Sequence, residues 1–356
     1  MLRGQIRFER GAVWLPRLGL WLDPQNPQRG PERVFISHAH SDHVARHREV
    51  ILTPATAAFL RARQAAPRIE QALAFSDRME FGGADASFHL TLLPAGHIFG
   101  SAMAYVETAE GGLLYTGDFK LRPSLSAEIC EPRHADVLIM ETTYGRAAYR
   151  FPPTDEVVAG VVRFCRQVLE HRETPVLLGY ALGKSQELIQ ILGGAGLPLM
   201  LHERVLRMTR IYEQLGQRFP PYEPLDLRRA RAKVLFCPPG ADLAELRARA
   251  GALRLAVLTG WAAEPRCRFR NRADAAFPLS DHADFPDLLE MVRQVNPKKV
   301  YTLHGFAVDF ARTLRELGFD AQALGCREQL DLPLALGDTA CPTIKRPPGT
   351  PGSGSG

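Results

Sequence analysis

Four ligand-type side chains fall within six positions of this chain, His38-x-His40-x-Asp42-His43, directly behind the apolar run Val34-Phe35-Ile36. In an extended strand they would alternate between two faces, but in a turn leaving a strand they can fan out around one point. Imidazole and carboxylate together suit zinc or a similar transition ion. The alternative is a solvated loop that happens to be rich in histidine, and the density of ligand types argues against it.

Three further residues occupy the same kind of position. His97 follows a strand-like run in "LLPAGHIFGSAM", Asp118 follows one in "LLYTGDFK", and His304 follows one in "VYTLHG". Each alone reads as a satisfied structural residue, whereas all three at strand ends read as ligands. Seven candidates exceed the needs of one tetrahedral ion, and an aspartate can bridge two, so the count implies two divalent metal ions.

The elements that must carry these residues alternate between short apolar runs and helical patterns, the mark of an α/β protein. Strand-like runs include 33–37, 50–53, 88–93, 102–107, 112–117, 136–141 and 298–303, with a second series at 175–180, 197–201, 233–237 and 254–260. Helical periodicity is clear at 54–63, 155–171, 184–192, 203–215 and 307–317. Unusual polar residues cluster at strand ends in the first 145 or so residues, vanish from about 150 to 275, and resume in "PLSDHADF" (278–285) and "YTLHG" (301–305). A first half and a last segment therefore share one site, with an insertion between them.

The series HxHxDH, a distant "GH", "TGD" and a late "HG" resembles the metallo-β-lactamase fold. "METTYG" (140–145), "SDHADF" (280–285) and "LHG" (303–305) resemble the acidic and histidine motifs of its β-CASP nuclease branch. "YTGDFKLRP", "FPLSDHADF" and "YTLHG" look most like bacterial ligase-associated DNA exonucleases, relatives of Artemis and Apollo. The resemblance implies a metallo-β-lactamase αββα sandwich with an inserted β-CASP α/β domain. Its N-terminal part would span 1–150, the insertion 151–275 and the C-terminal part 276–338, leaving 339–356 as a flexible tail or linker.

By the same resemblance, His38, His40 and His97 hold one ion, Asp42, His43 and His304 the other, and Asp118 bridges. Asp23, in "GLWLDP", would orient the HxHxDH loop without binding metal. An Asp-Pro turn explains Asp23 equally well. The implied chemistry is phosphodiester hydrolysis by a hydroxide activated between two ions, zinc or else manganese, with Asp42 in the catalytic set. His282 would protonate the leaving alkoxide, and Glu141 would orient that imidazole. The implied substrate is DNA, as for a repair exonuclease acting alongside an ATP-dependent DNA ligase and a helicase. RNA is the alternative, because a histidine at the position of His304 goes with RNA among eukaryotic relatives, although the bacterial group also carries it. A non-catalytic β-CASP scaffold would have lost ligands, and this chain keeps all seven.

Substrate contacts are expected at Lys184, which opens a helical pattern in "GYALGKSQEL", and at Arg268 and Arg270 within "EPRCRFRNR". Solvated surface explains these three almost as well. His47, His89, His134, His171 and His202 match no motif and read as structural.

Composition fits this picture without proving it. Among 356 residues, 46% are hydrophobic and the net charge is +5, mildly basic and compatible with a polyanionic partner. Six scattered cysteines without a CxxC pair argue against a thiolate cluster or a disulfide framework and suit a reducing compartment. No run approaches the roughly 20 apolar residues of a membrane span, and the charged start "MLRGQIRFER" lacks the apolar core of a secretory signal. A cytoplasmic location is expected.

Overall fold

Apolar residues on both faces of a strand require a layer on each side, and that requirement builds the architecture. The structure is a computed structural model that describes residues 6–9 and 11–325. The expected tail, the end of the expected C-terminal part, Cys326 and Cys341 lie outside the described residues. The first sheet follows chain order: β1 (Arg7–Glu9), β2 (Ala12–Leu15), β3 (Leu20–Leu22), β4 (Arg33–Phe35), β5 (Glu49–Leu52) and β6 (Ile69–Ala72). Helix α1 (Pro54–Arg63) starts at Thr53, whose side chain accepts from the Thr56 N–H, with Pro54 fitted to the first turn.

The second sheet opens with β7 (Arg78–Phe81), β8 (Phe88–Pro94), β9 (Ala102–Thr108), β10 (Gly111–Tyr115) and β11 (Val137–Glu141). The chain then leaves to build the inserted domain. Its helices are α2 (Thr154–Glu170), α3 (Lys184–Gly194), α4 (Glu203–Gln214), α5 (Leu243–Ala250) and α6 (Cys267–Arg270). They flank a third sheet of β12 (Thr174–Leu178), β13 (Leu199–Leu201), β14 (Tyr222–Pro224), β15 (Val234–Cys237), β16 (Leu253–Leu258) and β17 (Ala275–Phe277), all paired in parallel. After α7 (Phe285–Val295) the chain returns to the second sheet as β18 (Lys299–Leu303), then α8 (Ala307–Glu316) and β19 (Ala321–Ala323). That sheet is ordered β19-β18-β11-β10-β9-β8-β7.

Strand β11 shows how the layers pack. Val137 and Ile139 join Leu22, Phe35 and Ile51 of the first sheet in one core. Leu138 and Met140, one residue out of phase, join Leu288 and Val292 of α7 and Phe310 of α8 in another. On the outer face of the first sheet, Val34 and Val50 pack on Ala57 and Leu60 of α1. The order is helix, sheet, sheet, helix: the expected αββα sandwich.

Strands β8, β10, β11 and β18 point the same way, since β8 and β10 both run antiparallel to β9 and β10, β11 and β18 pair in parallel. Their carboxyl ends deliver His97, Asp118, Glu141 and His304 to one edge. Among the described residues no helix is long and apolar enough to cross a membrane. The described cysteines, Cys130, Cys165, Cys237 and Cys267, are buried free thiols.

Candidate metal centre

The HxHxDH turn is held from below by Asp23. Its carboxylate accepts from the Ser37 N–H (2.8 Å), Ser37 Oγ (2.6 Å), Tyr115 OH (2.9 Å) and His43 Nδ1 (3.0 Å). Asp23 is buried and itself takes a left-handed backbone, φ 46°. The chain leaves β4 and turns at once, and the loop carrying Asp118 presses against it. Gly117 sits at φ 54°, where a Cβ would come within 2.5 Å of Ser37 Cβ. Only glycine permits that approach. His97 is presented by a turn in which Ser101 Oγ accepts from the N–H groups of His97 and Ile98.

Each histidine of the turn has one ring nitrogen tied off and the other aimed inward. His38 Nδ1 lies 3.0 Å from Ser37 Oγ, His40 Nε2 3.1 Å from the Leu182 carbonyl, and His97 Nδ1 2.8 Å from the Asp281 carbonyl. A carbonyl only accepts, so His40 and His97 donate their protons outward and keep a lone pair for the interior. Four Nε2 atoms then surround Asp118 Oδ2: His43 at 3.2 Å, His38 at 3.6 Å, His97 at 3.9 Å and His282 at 4.0 Å.

This donor set fits divalent cations. His38 Nε2 is buried without a hydrogen-bond partner, a cost that a metal bond removes. His97 Nε2 and His40 Nδ1, both stripped of protons by their carbonyls, face each other across 3.1 Å. Two lone pairs at that distance repel unless a cation lies between them. Tetrahedral coordination at about 2.0–2.1 Å places neighbouring nitrogens about 3.3 Å apart. His38, His40 and His97 form one convergent group, His38, His43 and Asp118 a second, and His97, Asp118 and His282 a third.

Electrostatics point the same way. Burial, reinforced by the neighbouring imidazoles, holds His38 well below the ordinary histidine range. Burial also lowers His40, and with His282 it brings His97 down to about 4. All three are neutral, the form that ligates. His43 is the exception: burial pushes it down, but Asp118 and Asp23 on either side raise it well above its usual value. Asp118 is held well below the carboxylate range, because His43 and His282 outweigh its burial.

His282 leans into the cluster from the other side. Its Nδ1 lies 2.9 Å from Glu141 Oε1, and that same oxygen accepts from the Phe119 N–H. The second Glu141 oxygen is engaged by Thr143 Oγ1. Burial would lower the His282 pKa, but Glu141 first and Asp118 second raise it to about 10. His304 stands further out, its ring centroid 6.0 Å from that of His43. It too is left-handed, φ 60°, clamped by the Thr142 hydroxyl on its carbonyl at 2.7 Å.

Not every expected residue arrives. The Asp42 side chain is exposed on the turn and joins none of the three convergent groups, because the turn aims it to solvent while Asp23 holds its neighbour His43 inward. Lys184, expected to receive a phosphate at a helix start, lies inside the protein. It is 2% exposed, and its Nζ lies 3.2 Å from Asp281 Oδ1. Arg268 and Arg270 are exposed on α6, Arg268 over the Phe269 ring at 4.8 Å and Arg270 paired with Glu264. The unmatched histidines serve the frame: His47 accepts from the Gln28 N–H, and His202 caps α4. Sequence reasoning missed Ser37, Tyr115, Lys120, Asp281 and Glu187. The first four sit within three residues of a motif histidine or aspartate, which was the available signal, whereas Glu187 gave none.

A two-sheet sandwich with histidines and an aspartate gathered at its strand ends defines a metallo-hydrolase. A family model described as the metallo-beta-lactamase superfamily matches residues 24–155, and one described as a Zn-dependent metallo-hydrolase RNA specificity domain matches 275–324. A "Probable DNA ligase" of Opitutus terrae is 48% identical over 98% of this chain and 34% of its own length. The "5' exonuclease Apollo" of Gallus gallus is 27% identical over 83% of this chain and 63% of its own. An "Endoribonuclease ysh1" of Schizosaccharomyces pombe is 34% identical over 28% of this chain and 13% of its own. A crystal structure of an Enterococcus faecalis V583 protein of unknown function shares the fold, with TM-score 0.58 at 14% identity over 83% of this chain and 79% of that one. Residues 24–155 carry the metallo-β-lactamase superfamily domain, and the chain is similar to nucleases of that superfamily's β-CASP branch. It spans about a third of the Opitutus protein and under two thirds of Apollo.

Proposed function

We propose that the protein is a metal-dependent phosphodiesterase that hydrolyses DNA, working as an exonuclease in cytoplasmic DNA repair. The observation that carries this reading is the Glu141–His282 pair, joined at 2.9 Å and directed at the Asp118 cluster. A simple metallo-hydrolase has no need of a second carboxylate–imidazole pair beside its ligands. In this reading His38, His40 and His97 would hold one ion and His43 and His304 the other, with Asp118 shared between the two sets. Asp42 must turn inward to complete the second set. Zinc is the first choice and manganese the second; the ions would supply Lewis-acid neutralisation of the phosphodiester and a lowered pKa for water.

The chain's own residues do the rest. Asp23 and Ser37 fix the tautomers of His43 and His38, so that their Nε2 lone pairs face inward, where the ions would bind. His282 holds a proton on Nε2 for the leaving alkoxide, and Glu141 keeps Nδ1 protonated and the ring aimed. The inserted domain, taken as 151–275, closes over the edge and leaves a groove for the nucleic acid, with Arg268 and Arg270 on its surface. The relative named a probable DNA ligase supports functional association with a DNA ligase, taken here as ATP-dependent; association with a helicase belongs to the same proposal.

The test is hydrolysis of end-labelled single-stranded DNA, double-stranded DNA and matched RNA with zinc and with manganese, polarity being read from the product ladder. No metal-stimulated cleavage of any substrate defeats the reading. Preferential cleavage of RNA supports the second reading, an RNA-processing nuclease, which the RNA specificity domain matched over 275–324 favours.

A further inference from the structure

One place where the inserted domain meets the metal centre is the loop before α3 and its first turn. Gly183 lies at φ 91°, and a Cβ there would come within 2.2 Å of Ile98 Cγ2. The start of α3 is therefore pressed against the turn that carries His97. Two positions before the helix, the Leu182 carbonyl accepts from His40 Nε2. Within the helix, Lys184 and Glu187 enter a row of buried charges that crosses between the domains. Lys120 Nζ lies 2.8 Å from Glu187 Oε1, Glu187 Oε2 3.9 Å from Lys184 Nζ, and Lys184 Nζ 3.2 Å from Asp281 Oδ1.

All four residues are buried, from 2% to 9% exposed, and their charges sum to zero. Burying four charges is costly, and well-packed apolar residues join two domains at least as firmly. What an apolar contact cannot do is fix the direction of a polar main-chain group. Asp281 is where the row ends, and its carbonyl is the acceptor for His97 Nδ1 at 2.8 Å. The next residue is His282. Two of the three histidines in the first convergent group, His40 and His97, thus receive their orientation from the inserted domain, one directly and one through Lys184 and Asp281.

We propose that the row Lys120–Glu187–Lys184–Asp281 is a positioning device through which the inserted domain sets the affinity of the metal centre, with Lys184 as its central positioning residue. The proposal rests on the reading that His40 and His97 hold an ion. It differs from simple cohesion in predicting that affinity and fold stability separate.

The test compares Lys184→Met, Asp281→Asn and the double variant K184M/D281N with the wild type. Zinc affinity is measured by competition with a chromophoric chelator, and thermal unfolding is measured on the metal-stripped proteins. Lys184→Met leaves Asp281 and Glu187 short of a partner and loses both stability and affinity. The double variant restores charge balance, so its unfolding temperature returns towards wild type while zinc binding stays about 10- to 100-fold weaker, the usual cost of losing the support behind a ligand. Double-variant affinity equal to wild type overturns the proposal, as does wild-type affinity in Lys184→Met. If Lys184→Met does not fold, the double variant decides, and Asp281→Asn, which keeps shape and carbonyl, serves as its check: wild-type affinity there also overturns the proposal. A wild-type protein that binds no zinc or manganese defeats the underlying metal reading instead.

Discussion

Replacing Asp23 by asparagine keeps the shape of the side chain and reverses the polarity of one of its two heavy atoms. In the native site Oδ2 accepts from three donors, Ser37 Oγ, Tyr115 OH and His43 Nδ1, while Oδ1 accepts from the Ser37 N–H. If the amide nitrogen takes the Oδ2 position, both hydroxyls can rotate and accept. The imidazole can accept at Nδ1 only by moving its proton to Nε2, the atom that lies 3.2 Å from Asp118 Oδ2. That proton occupies the lone pair needed for a metal bond. If the amide flips instead, it faces the Ser37 N–H donor to donor, and a buried backbone N–H is left unpaired at a cost of about 1–3 kcal/mol. Either way the metal-free protein loses charge-assisted hydrogen bonds worth about 1.5–3 kcal/mol. Loss of the correct His43 tautomer weakens the second ion about 10- to 100-fold, or about 1.4–2.7 kcal/mol. Zinc titration of Asp23→Asn should show one tight ion in place of two, and nitrogen-detected NMR of labelled histidine should show His43 changing tautomer. Ser37→Ala, which removes the partner of His38 Nδ1 together with one hydroxyl donor to Asp23, should weaken the first ion. An Asp23→Asn protein that binds two ions with native affinity refutes the reasoning.

Three further outcomes are expected. Asp118→Ala, which removes the oxygen ringed by four imidazoles, should lose at least one ion by metal analysis and all nuclease activity. Retention of both ions would exclude bridging. His282→Ala should keep both ions and nucleic-acid affinity but slow cleavage by about 10²- to 10⁴-fold, with a smaller loss on a nitrophenyl phosphodiester whose leaving group needs no proton. Glu141→Gln should show a weaker form of the same defect, and an emptied metal site in His282→Ala would make His282 a ligand, a role its place beside His97 and Asp118 allows. Arg268→Ala should lower the salt slope of DNA binding by just under one unit, whereas Arg270→Ala, with its charge already spent on Glu264, should leave it nearly unchanged. Equal slopes for Arg268→Ala and wild type would return α6 to ordinary surface.

Where two levels of signal agreed, the sequence was readable. Strands β8, β11 and β18 combine apolar runs with ligand-type residues at their ends, and both the elements and their shared edge could be read before any coordinates. Strands β1, β6, β7 and β14 are short and carry charged residues, and β17 is short and only half buried, so no apolar run announced them. Helix α7 was legible in principle, since Asp284 caps it by accepting from the Asp287 N–H, but its cap and first residue lie inside "SDHADF", a motif that reads first as chemistry. Lys184 shows the limit most clearly. A lysine at a helix start reads as a phosphate site until a carboxylate about a hundred residues later is found against it, and local sequence carries no trace of such a contact.

The register between β11 and β18 has a consequence for how the chain acquires its fold. Glu141 is paired with Leu303, yet the whole inserted domain separates them. Bringing these strands together from an unstructured chain means closing a loop of roughly 160 residues, whereas a preformed inserted domain shortens the flexible length to roughly 36. The saving is about 1.3 kcal/mol of closure entropy, on the order of a tenfold gain in the chance of encounter. The two halves of the sandwich, with the histidines and carboxylates they carry, are then assembled last. On a ribosome the chain would expose β11 as an open sheet edge until β18 emerges, and the early-folding insertion limits how long that edge stays bare.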